Sequence, residues 1–300
     1  MGYVRVVMAN RRLAVKVWAA VILVGAAVVS AQQRLPSEPP RQFGSSVTGA
    51  FEGWFDDADG THNFLVGYLN RNMSQAVDIP IGPANRIEPG GPDMGQPAYF
   101  QPGRRTGMFV VRVPKDFTPQ QRLTWTIVVN GQSTVIPLRL HTDYNVSPFR
   151  DEAVGNTPPI VRFEEKGPPV QGPGMTLDRA PTRSTALGTP LSLPVWVSDD
   201  AKYSSGSNAP LSKVPPPVEL TWSKYRGPGA VTFDEPQPKV DVLAGGAVNT
   251  PFSGKAAASA RFSVPGEYVL HLVANDFSGE GGGGEVCCWT TGLVKVTVTP

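Results

Sequence analysis

A β-hairpin signal lies in residues 123–140, which read Leu123-Thr124-Trp125-Thr126-Ile127-Val128-Val129-Asn130-Gly131-Gln132-Ser133-Thr134-Val135-Ile136-Pro137-Leu138-Arg139-Leu140. Two runs rich in β-branched residues, 123–129 and 133–140, flank the pair Asn130-Gly131. Asn-Gly is the preferred pair for a two-residue type I′ turn, because both residues accept a positive φ. The stretch therefore predicts two antiparallel strands joined by a tight turn.

The same pattern extends towards the N-terminus. Phe51, Gly53 and Phe55 alternate with Glu52 and Trp54, the turn residues Asp56-Asp57-Ala58-Asp59-Gly60 follow, and a second apolar run covers 64–69. Residues 80–104 are a Pro/Gly-rich excursion, after which a strand pattern resumes at 108–113. Alternation with turns and without capped helical periodicity predicts an antiparallel β-sandwich over residues 49–147.

A second series of strands follows from residue 148 to residue 300. Seven short strands are predicted at 160–163, 191–198, 218–224, 230–233, 256–262, 268–274 and 289–298. Seven short strands separated by turn residues are typical of an immunoglobulin-like sandwich. We therefore predict an all-β chain of two antiparallel β-sandwich domains.

The C-terminal half resembles the PKD-type and REJ-type immunoglobulin-like domains. The resemblance is carried by Leu220-Thr221-Trp222-Ser223 with Gly227-Pro228-Gly229-Ala230-Val231-Thr232-Phe233, by residues 262–276, and by the opening Asn156-Thr157-Pro158-Pro159. Residues 222–224 read Trp-Ser-Lys, where typical PKD domains have Trp-Asp-Phe-Gly-Asp-Gly. The resemblance covers about residues 156–300 and implies a spacer, binding or adhesion module of a secreted or surface protein.

Two aromatic residues have defined positions in such a sandwich. Trp222, on a central strand, is predicted to lie in the core. Tyr268 follows a Pro-Gly turn, where a tyrosine corner would form with the hydroxyl bonded to the backbone a few residues upstream.

The N-terminus has the three parts of a secretory signal. A basic stretch ending at Lys16 precedes the apolar run 17–29, and Val29-Ser30-Ala31 supplies small residues for cleavage. The run is shorter than the roughly 20 residues of a membrane-spanning helix. We predict a signal peptide over 1–31, a flexible leader over 32–48, no membrane span in the mature chain, and a secreted or periplasmic location of bacterial type.

Composition narrows the classes of function. The net charge is +2, but residues 1–31 hold four basic residues and no acid, so the remainder is slightly acidic. This slightly acidic charge gives no indication of nucleic-acid binding. Gly and Pro make up 63 of the 300 residues, which indicates many turns and many short strands.

Carboxylates after two predicted strands form a candidate calcium site. Asp199 and Asp200 end one strand, Asp276 ends another, and Glu280 follows in its loop. The loops after strands B and F lie at one end of an immunoglobulin-like sandwich, and oxygen ligands in loops suit Ca²⁺. The alternative is that these are solvated turn acids.

Cys287 and Cys288 are the only cysteines. Export favours disulfides, so adjacent cysteines would form a vicinal bridge, but a regular strand points their side chains to opposite faces. A bridge therefore requires an irregular backbone at this point. Two free thiols are the alternative.

No catalytic constellation is found in the sequence. His62, His141 and His271 are isolated, and no Gly-x-Ser-x-Gly elbow is present. We expect a non-catalytic binding or structural module whose partner is a protein or glycan at the cell envelope. The alternative is a carbohydrate-binding or carbohydrate-cleaving protein that uses the aromatic residues Trp54, Phe55, Tyr68, Tyr99, Phe100 and Trp125, which otherwise form core.

Overall fold

The structure is a computed structural model that describes residues 39–151, 155–202, 216–247, 249–276 and 287–300. These residues form strands and two single-turn 3₁₀ helices, Thr142–Tyr144 and Leu177–Arg179. The strands are β1 (Val47–Asp56), β2 (His62–Asn70), β3 (Val77–Asp78), β4 (Asn85–Glu88), β5 (Tyr99–Phe100), β6 (Gly103–Val113), β7 (Leu123–Val129), β8 (Gln132–Leu138), β9 (Ile160–Arg162), β10 (Val170–Gln171), β11 (Thr182–Ala186), β12 (Leu191–Asp199), β13 (Glu219–Arg226), β14 (Val231–Phe233), β15 (Asp241–Ala244), β16 (Phe252–Phe262), β17 (Gly266–Asn275) and β18 (Trp289–Thr299). The predicted all-β class is confirmed.

The predicted hairpin is present as β7 and β8. The two strands pair antiparallel with Val129 opposite Gln132, so the turn contains two residues. Asn130 has φ 51° and Gly131 has φ 75°, as a type I′ turn requires. The second strand ends at Leu138, two residues earlier than predicted.

Two three-stranded sheets make the N-terminal sandwich. One has the order β1-β2-β6 and the other β4-β7-β8, with β3 and β5 paired beside them. Trp125 of β7 is fully buried and packs edge-on against Phe109 of β6, with ring centroids 5.2 Å apart. Gly49 of β1 leaves space for this indole, because a Cβ there would lie 2.6 Å from a Trp125 ring carbon.

The Pro/Gly-rich excursion at 80–104 is ordered around Asn85. This side chain is buried, and its Nδ2 donates to the carbonyls of Ile79 and Pro97 at 2.9 and 2.7 Å. Its Oδ1 accepts from Trp125 Nε1 at 2.9 Å. One amide thus satisfies two loop carbonyls and a core indole, and it fixes the loop to the sandwich.

The C-terminal strands form an immunoglobulin-like sandwich. One sheet has the order β10-β9-β12-β16-β14, with β15 also paired to β16, and the other has the order β11-β18-β17-β13. In immunoglobulin notation β9, β12, β16 and β14 are strands A, B, E and D, while β13, β17 and β18 are C, F and G. This is the ABED and CFG arrangement of a constant-type domain.

Both aromatic predictions for this half are confirmed. Trp222 is 2% exposed and packs against Phe163 and Phe233 in the inter-sheet core. The Tyr268 hydroxyl donates to the Val264 carbonyl at 2.8 Å, which is the hydrogen bond of a tyrosine corner.

Three strands of this half were not predicted: β10, β11 and β15. β11 pairs parallel with β18 at the edge of its sheet, and its residues Thr182–Ala186 alternate between exposed and half-buried. β15 is exposed along its whole length. Neither strand buries an apolar face, so neither has the alternation by which strands are recognised.

The predicted domain limits stay predictions. The Ser45 N–H donates to Asn72 Oδ1 at 2.7 Å and β1 begins at Val47, so part of the predicted leader, residues 32–48, contacts the sandwich. Residues 40–300 group into one compact unit. Within the described residues, every sheet lies wholly before or wholly after 148–156, and the boundary there stays a prediction.

The predicted signal peptide, residues 1–31, lies outside the described residues. In the part of the chain that the structure does describe, no helix has the length and apolar character to cross a bilayer.

Replacing Trp222 with Ala should lower the free energy of unfolding by about 3–5 kcal/mol, because it leaves a large cavity between the sheets. Trp196 is the matched control, since it is half-buried on β12 with the Lys255 ammonium 4.7 Å above its ring. Trp196→Ala should cost about 1 kcal/mol. Urea unfolding measures both, and equal losses would contradict the core assignment.

Candidate functional site

The residues that lead into the C-terminal sandwich are bonded to the predicted acidic cluster. Asn156 Nδ2 donates to Asp276 Oδ2 at 2.6 Å, and Asn156 is 2% exposed. Thr157 Oγ1 donates to Asp200 Oδ2 at 3.1 Å. The loops after strands B and F therefore hold the connecting segment, a role that the sequence did not suggest.

Asp199 is the acid of this cluster with the most unusual electrostatics. It is 8% exposed, its Oδ2 accepts from the Ala201 N–H at 2.7 Å, and its Oδ1 is buried without a hydrogen-bond partner. Burial raises the pKa of Asp199 to about 7; the Ala201 N–H opposes this, while the charges of Asp276 and Asp200 add to it. The charge of Asp276 thus acts on Asp199 at this end of the sandwich.

The calcium site itself stays a prediction. The structure brings Asp199 and Asp276 within electrostatic reach, but Asp200 is turned towards Thr157 and towards Lys202, whose Nζ is 3.5 Å away. Glu280 lies outside the described residues. Within the described ranges, no group of three or more His, Cys, Asp and Glu side chains is arranged to hold a metal ion.

The two cysteines lie beside the same connecting segment. Their sulfur atoms are bonded to each other, their Cα atoms are 3.0 Å apart, and the peptide bond between them is cis. Both are buried, and Cys288 Sγ is 3.5 Å from the Asn156 carbonyl oxygen. The pair stands directly before β18, outside the regular strand.

The acidic turn after β1 is a hairpin turn. The Asp57 N–H donates to the Thr61 carbonyl at 2.9 Å, and the Thr61 N–H donates to Asp59 Oδ1 at 2.9 Å. The carboxylate of Asp59 is therefore used within the turn, which favours the turn over a calcium loop.

The aromatic residues considered for sugar binding are engaged within the protein. Trp54 Nε1 donates to the His141 carbonyl at 2.7 Å, and the ring of Tyr99 lies 4.7 Å from the ammonium of Lys224. The remaining four are buried, namely Phe55, Tyr68, Phe100 and Trp125. These contacts support the interpretation of the set as core and internal packing.

A group of contacts joins β13 to the excursion at 80–104. Nothing in the sequence indicates these contacts. Tyr225 is fully buried, its hydroxyl donates to the Gly95 carbonyl at 2.5 Å, and its carbonyl accepts from the Ala98 N–H at 3.1 Å. A bulge between Lys224 and Arg226 places these three consecutive side chains towards the N-terminal sandwich.

Charged pairs surround Tyr225. Arg226 binds Asp93 through two hydrogen bonds of 2.8 Å, and its Nε donates to the Gln96 carbonyl at 2.9 Å. Lys224 Nζ lies 2.9 Å from Asp78 Oδ1. Burial alone would raise the pKa of Asp93, but its hydrogen bonds from Arg226 and Gly95 and the charge of Arg226 hold this pKa below its ordinary value.

A second set of contacts between the sandwiches is apolar. Trp289 begins β18, is 1% exposed, and packs with Phe55, Leu65 and Val110 on β1, β2 and β6. Gly107 allows this approach, because a Cβ there would collide with the Trp289 ring. We call the contacts of residues 224–226 and Trp289 with the N-terminal sandwich the joint.

Comparison with known proteins identifies no family. No protein-family model matches the chain, and no curated protein matches it. Among solved structures, it is similar to the titin structure Titin-A168169, with 10% identity, a TM-score of 0.24, and coverage of 84% of this chain and 99% of that one. It is also similar to domains 4 and 5 of the S-layer protein SbsC, with 12% identity, a TM-score of 0.21, and coverage of 85% and 98%. The strand order given above, rather than these likenesses, defines the fold.

The pH dependence of stability should report Asp199. A folded-state pKa of about 7, above the ordinary 3.8, means that the protonated side chain stabilises the fold at low pH and that this stabilisation is lost as the pH rises through 7. Asp199→Asn should remove this loss, so that its advantage over the wild type grows by roughly 2–4 kcal/mol between pH 4 and pH 8. Urea unfolding in chelator measures the difference, with the exposed Asp241→Asn as control; parallel pH curves for the wild type and Asp199→Asn would contradict it.

Calcium binding is tested on the same cluster. If Ca²⁺ completes it, millimolar Ca²⁺ raises the melting temperature above that in chelator, because the ion binds only the native state. The variant with both Asp199→Asn and Asp276→Asn should lose the rise, and Mg²⁺ at equal concentration controls for unspecific effects. Identical wild-type melting curves in chelator and in Ca²⁺ would exclude the site.

Proposed function

We propose that the chain is an exported, non-catalytic structural module in which two β-sandwiches act as one stiff unit. The observation that carries this proposal is the joint, which combines a buried tyrosine, a two-point Arg226–Asp93 pair and a buried tryptophan. Flexibly linked domains have small and polar interfaces, whereas buried aromatic contacts with satisfied charges resist relative motion. A stiff pair of sandwiches suits a spacer or an element of an extracellular assembly.

Two features of the sequence support export and this class of role. The N-terminus has the basic, apolar and small-residue parts of a secretory signal. The C-terminal half resembles PKD-type and REJ-type domains, which implies a spacer or adhesion unit. A carbohydrate-binding role gains no support from the described aromatic residues, because all six have internal contacts.

The connecting segment adds to the stiffness. Besides the bonds of Asn156 and Thr157, the Gly155 carbonyl accepts from Lys202 Nζ at 2.8 Å. Three consecutive residues of the segment are therefore held by the loops of the C-terminal sandwich. These bonds tie residues 155–157 to the C-terminal sandwich.

The joint is tested by Arg226→Gln. Truncating one partner of a partly buried charge pair should lower the free energy of unfolding by about 2–3 kcal/mol, and it should split one cooperative transition into two as the sandwiches uncouple. Arg183→Gln is the matched control, because Arg183 pairs with Glu164 at 3.2 Å within the C-terminal half. It should cost less than about 1 kcal/mol and leave one transition.

Calorimetry and small-angle scattering provide the readouts. Two separate transitions in the wild type, or equal losses in the two variants, would count against a stiff module.

Export is checked by N-terminal sequencing of the protein recovered outside the cytoplasm, which should begin at Gln32; a chain that still begins at Met1 would refute cleavage.

A further inference from the structure

A cavity of about 280 Å³ lies between β6 and the outer face of β13 and β17. Its walls include Gln101, Arg105, Thr221, Ser223 and His271. The exposed residues Pro236 and Gln237 also line it, so it reaches solvent there. A water molecule occupies about 30 Å³, so the cavity has the volume of roughly nine water molecules.

The charge of this cavity is unbalanced. Arg105 is half-buried, and among the described residues it forms no ion pair. Its Nε is buried without a hydrogen-bond partner, its Nη1 donates to the Arg104 carbonyl at the long distance of 3.5 Å, and the neutral Tyr68 hydroxyl is a further hydrogen-bond partner of the guanidinium. By contrast, the neighbouring Arg104 is paired with Glu52. None of the described residues that line the cavity carries a carboxylate.

His271 adds a polar ring to the cavity but no negative charge that would balance Arg105. It is 1% exposed, stacks on Tyr225 with ring centroids 5.7 Å apart, and has a buried Nε2 without a hydrogen-bond partner. Burial, assisted by the charge of Arg105, lowers the pKa of His271 to about 4, so the imidazole is neutral at pH 7. Ser223 lies opposite His271 in the sheet and adds a hydroxyl to the same wall.

A partly desolvated guanidinium costs free energy unless an anion accompanies it. We propose that this cavity binds a small oxyanion, with the guanidinium of Arg105 as its ionic partner and the hydroxyl and amide groups of the walls as further donors. Guanidinium groups suit planar and tetrahedral oxyanions alike, because their donors form a fork. The site goes beyond the structural role proposed above, since it gives the contact region between the sandwiches a ligand of its own.

The experiment titrates the mature protein with sodium sulfate and with sodium acetate, and measures heats of binding at constant ionic strength maintained with chloride. At least one of the two should bind the wild type, and the preference between them shows whether the ligand group is tetrahedral or planar. Arg105→Gln should weaken that binding by at least about tenfold, whereas Arg105→Lys should restore part of it. Arg104→Gln, one residue away and paired elsewhere, should bind as the wild type does.

Thermal melting separates binding from a structural role. In chloride alone, Arg105→Gln should melt at or above the wild-type temperature, because it removes an unpaired charge. The binding anion should raise the melting temperature of the wild type more than that of Arg105→Gln, which corrects for the general stabilising effect of sulfate. Absence of heat with both anions, or equal binding to Arg105→Gln, would overturn the proposal.

Discussion

The indole of Trp289 is the contact on which the relation of the two sandwiches depends. It stands at the first residue of strand G and is buried on the outer face of β1, β2 and β6. Burial of one indole contributes on the order of 4 kcal/mol at about 25 cal/mol per Å². The approach is possible only because Gly107, at φ 54°, has no side chain in its path. The position of one apolar ring thus constrains a distant glycine and the start of the last strand.

Around this ring, the polar part of the joint is satisfied largely by backbone groups. Tyr225 and Arg226 bond the carbonyls of Gly95 and Gln96, and Ala98 bonds the carbonyl of Tyr225. Backbone groups are fixed by their own strand or loop, so such bonds specify one relative placement more strictly than contacts between two mobile side chains. Asn85 fixes that loop in turn. The stiffness that we propose for the joint would therefore begin in the core of the N-terminal sandwich.

The features that could be predicted from the sequence are those that depend on short-range residue patterns. The Asn130-Gly131 turn, the seven strands of the second half, Trp222 in the core and the hydrogen bond of Tyr268 all follow from local residue types. β11 was missed because this edge strand alternates between exposed and half-buried polar residues and has no apolar period. The joint was missed because Arg226 and Asp93 are 133 residues apart, and nothing in either local sequence indicates the other. Asp199 and Asp276 lie at the same end of the sandwich because the topology brings the ends of strands B and F together. The hydrogen bonds from residues 156 and 157 to Asp276 and Asp200 depend instead on where the connecting segment runs.

Two contacts of Asn156 explain why the start of the C-terminal sandwich is held closely. Asn156 donates to Asp276, and its carbonyl faces the sulfur of Cys288, the residue directly before Trp289. The segment that enters the sandwich and the strand that presents the indole are thus packed on each other. A shift of the connecting segment would displace residue 288 and, through one peptide unit, the ring that the N-terminal sandwich holds. Burial, together with the charges of Asp276 and Asp200, raises the pKa of Asp199 and disfavours its carboxylate form, so the stability of this corner depends on pH.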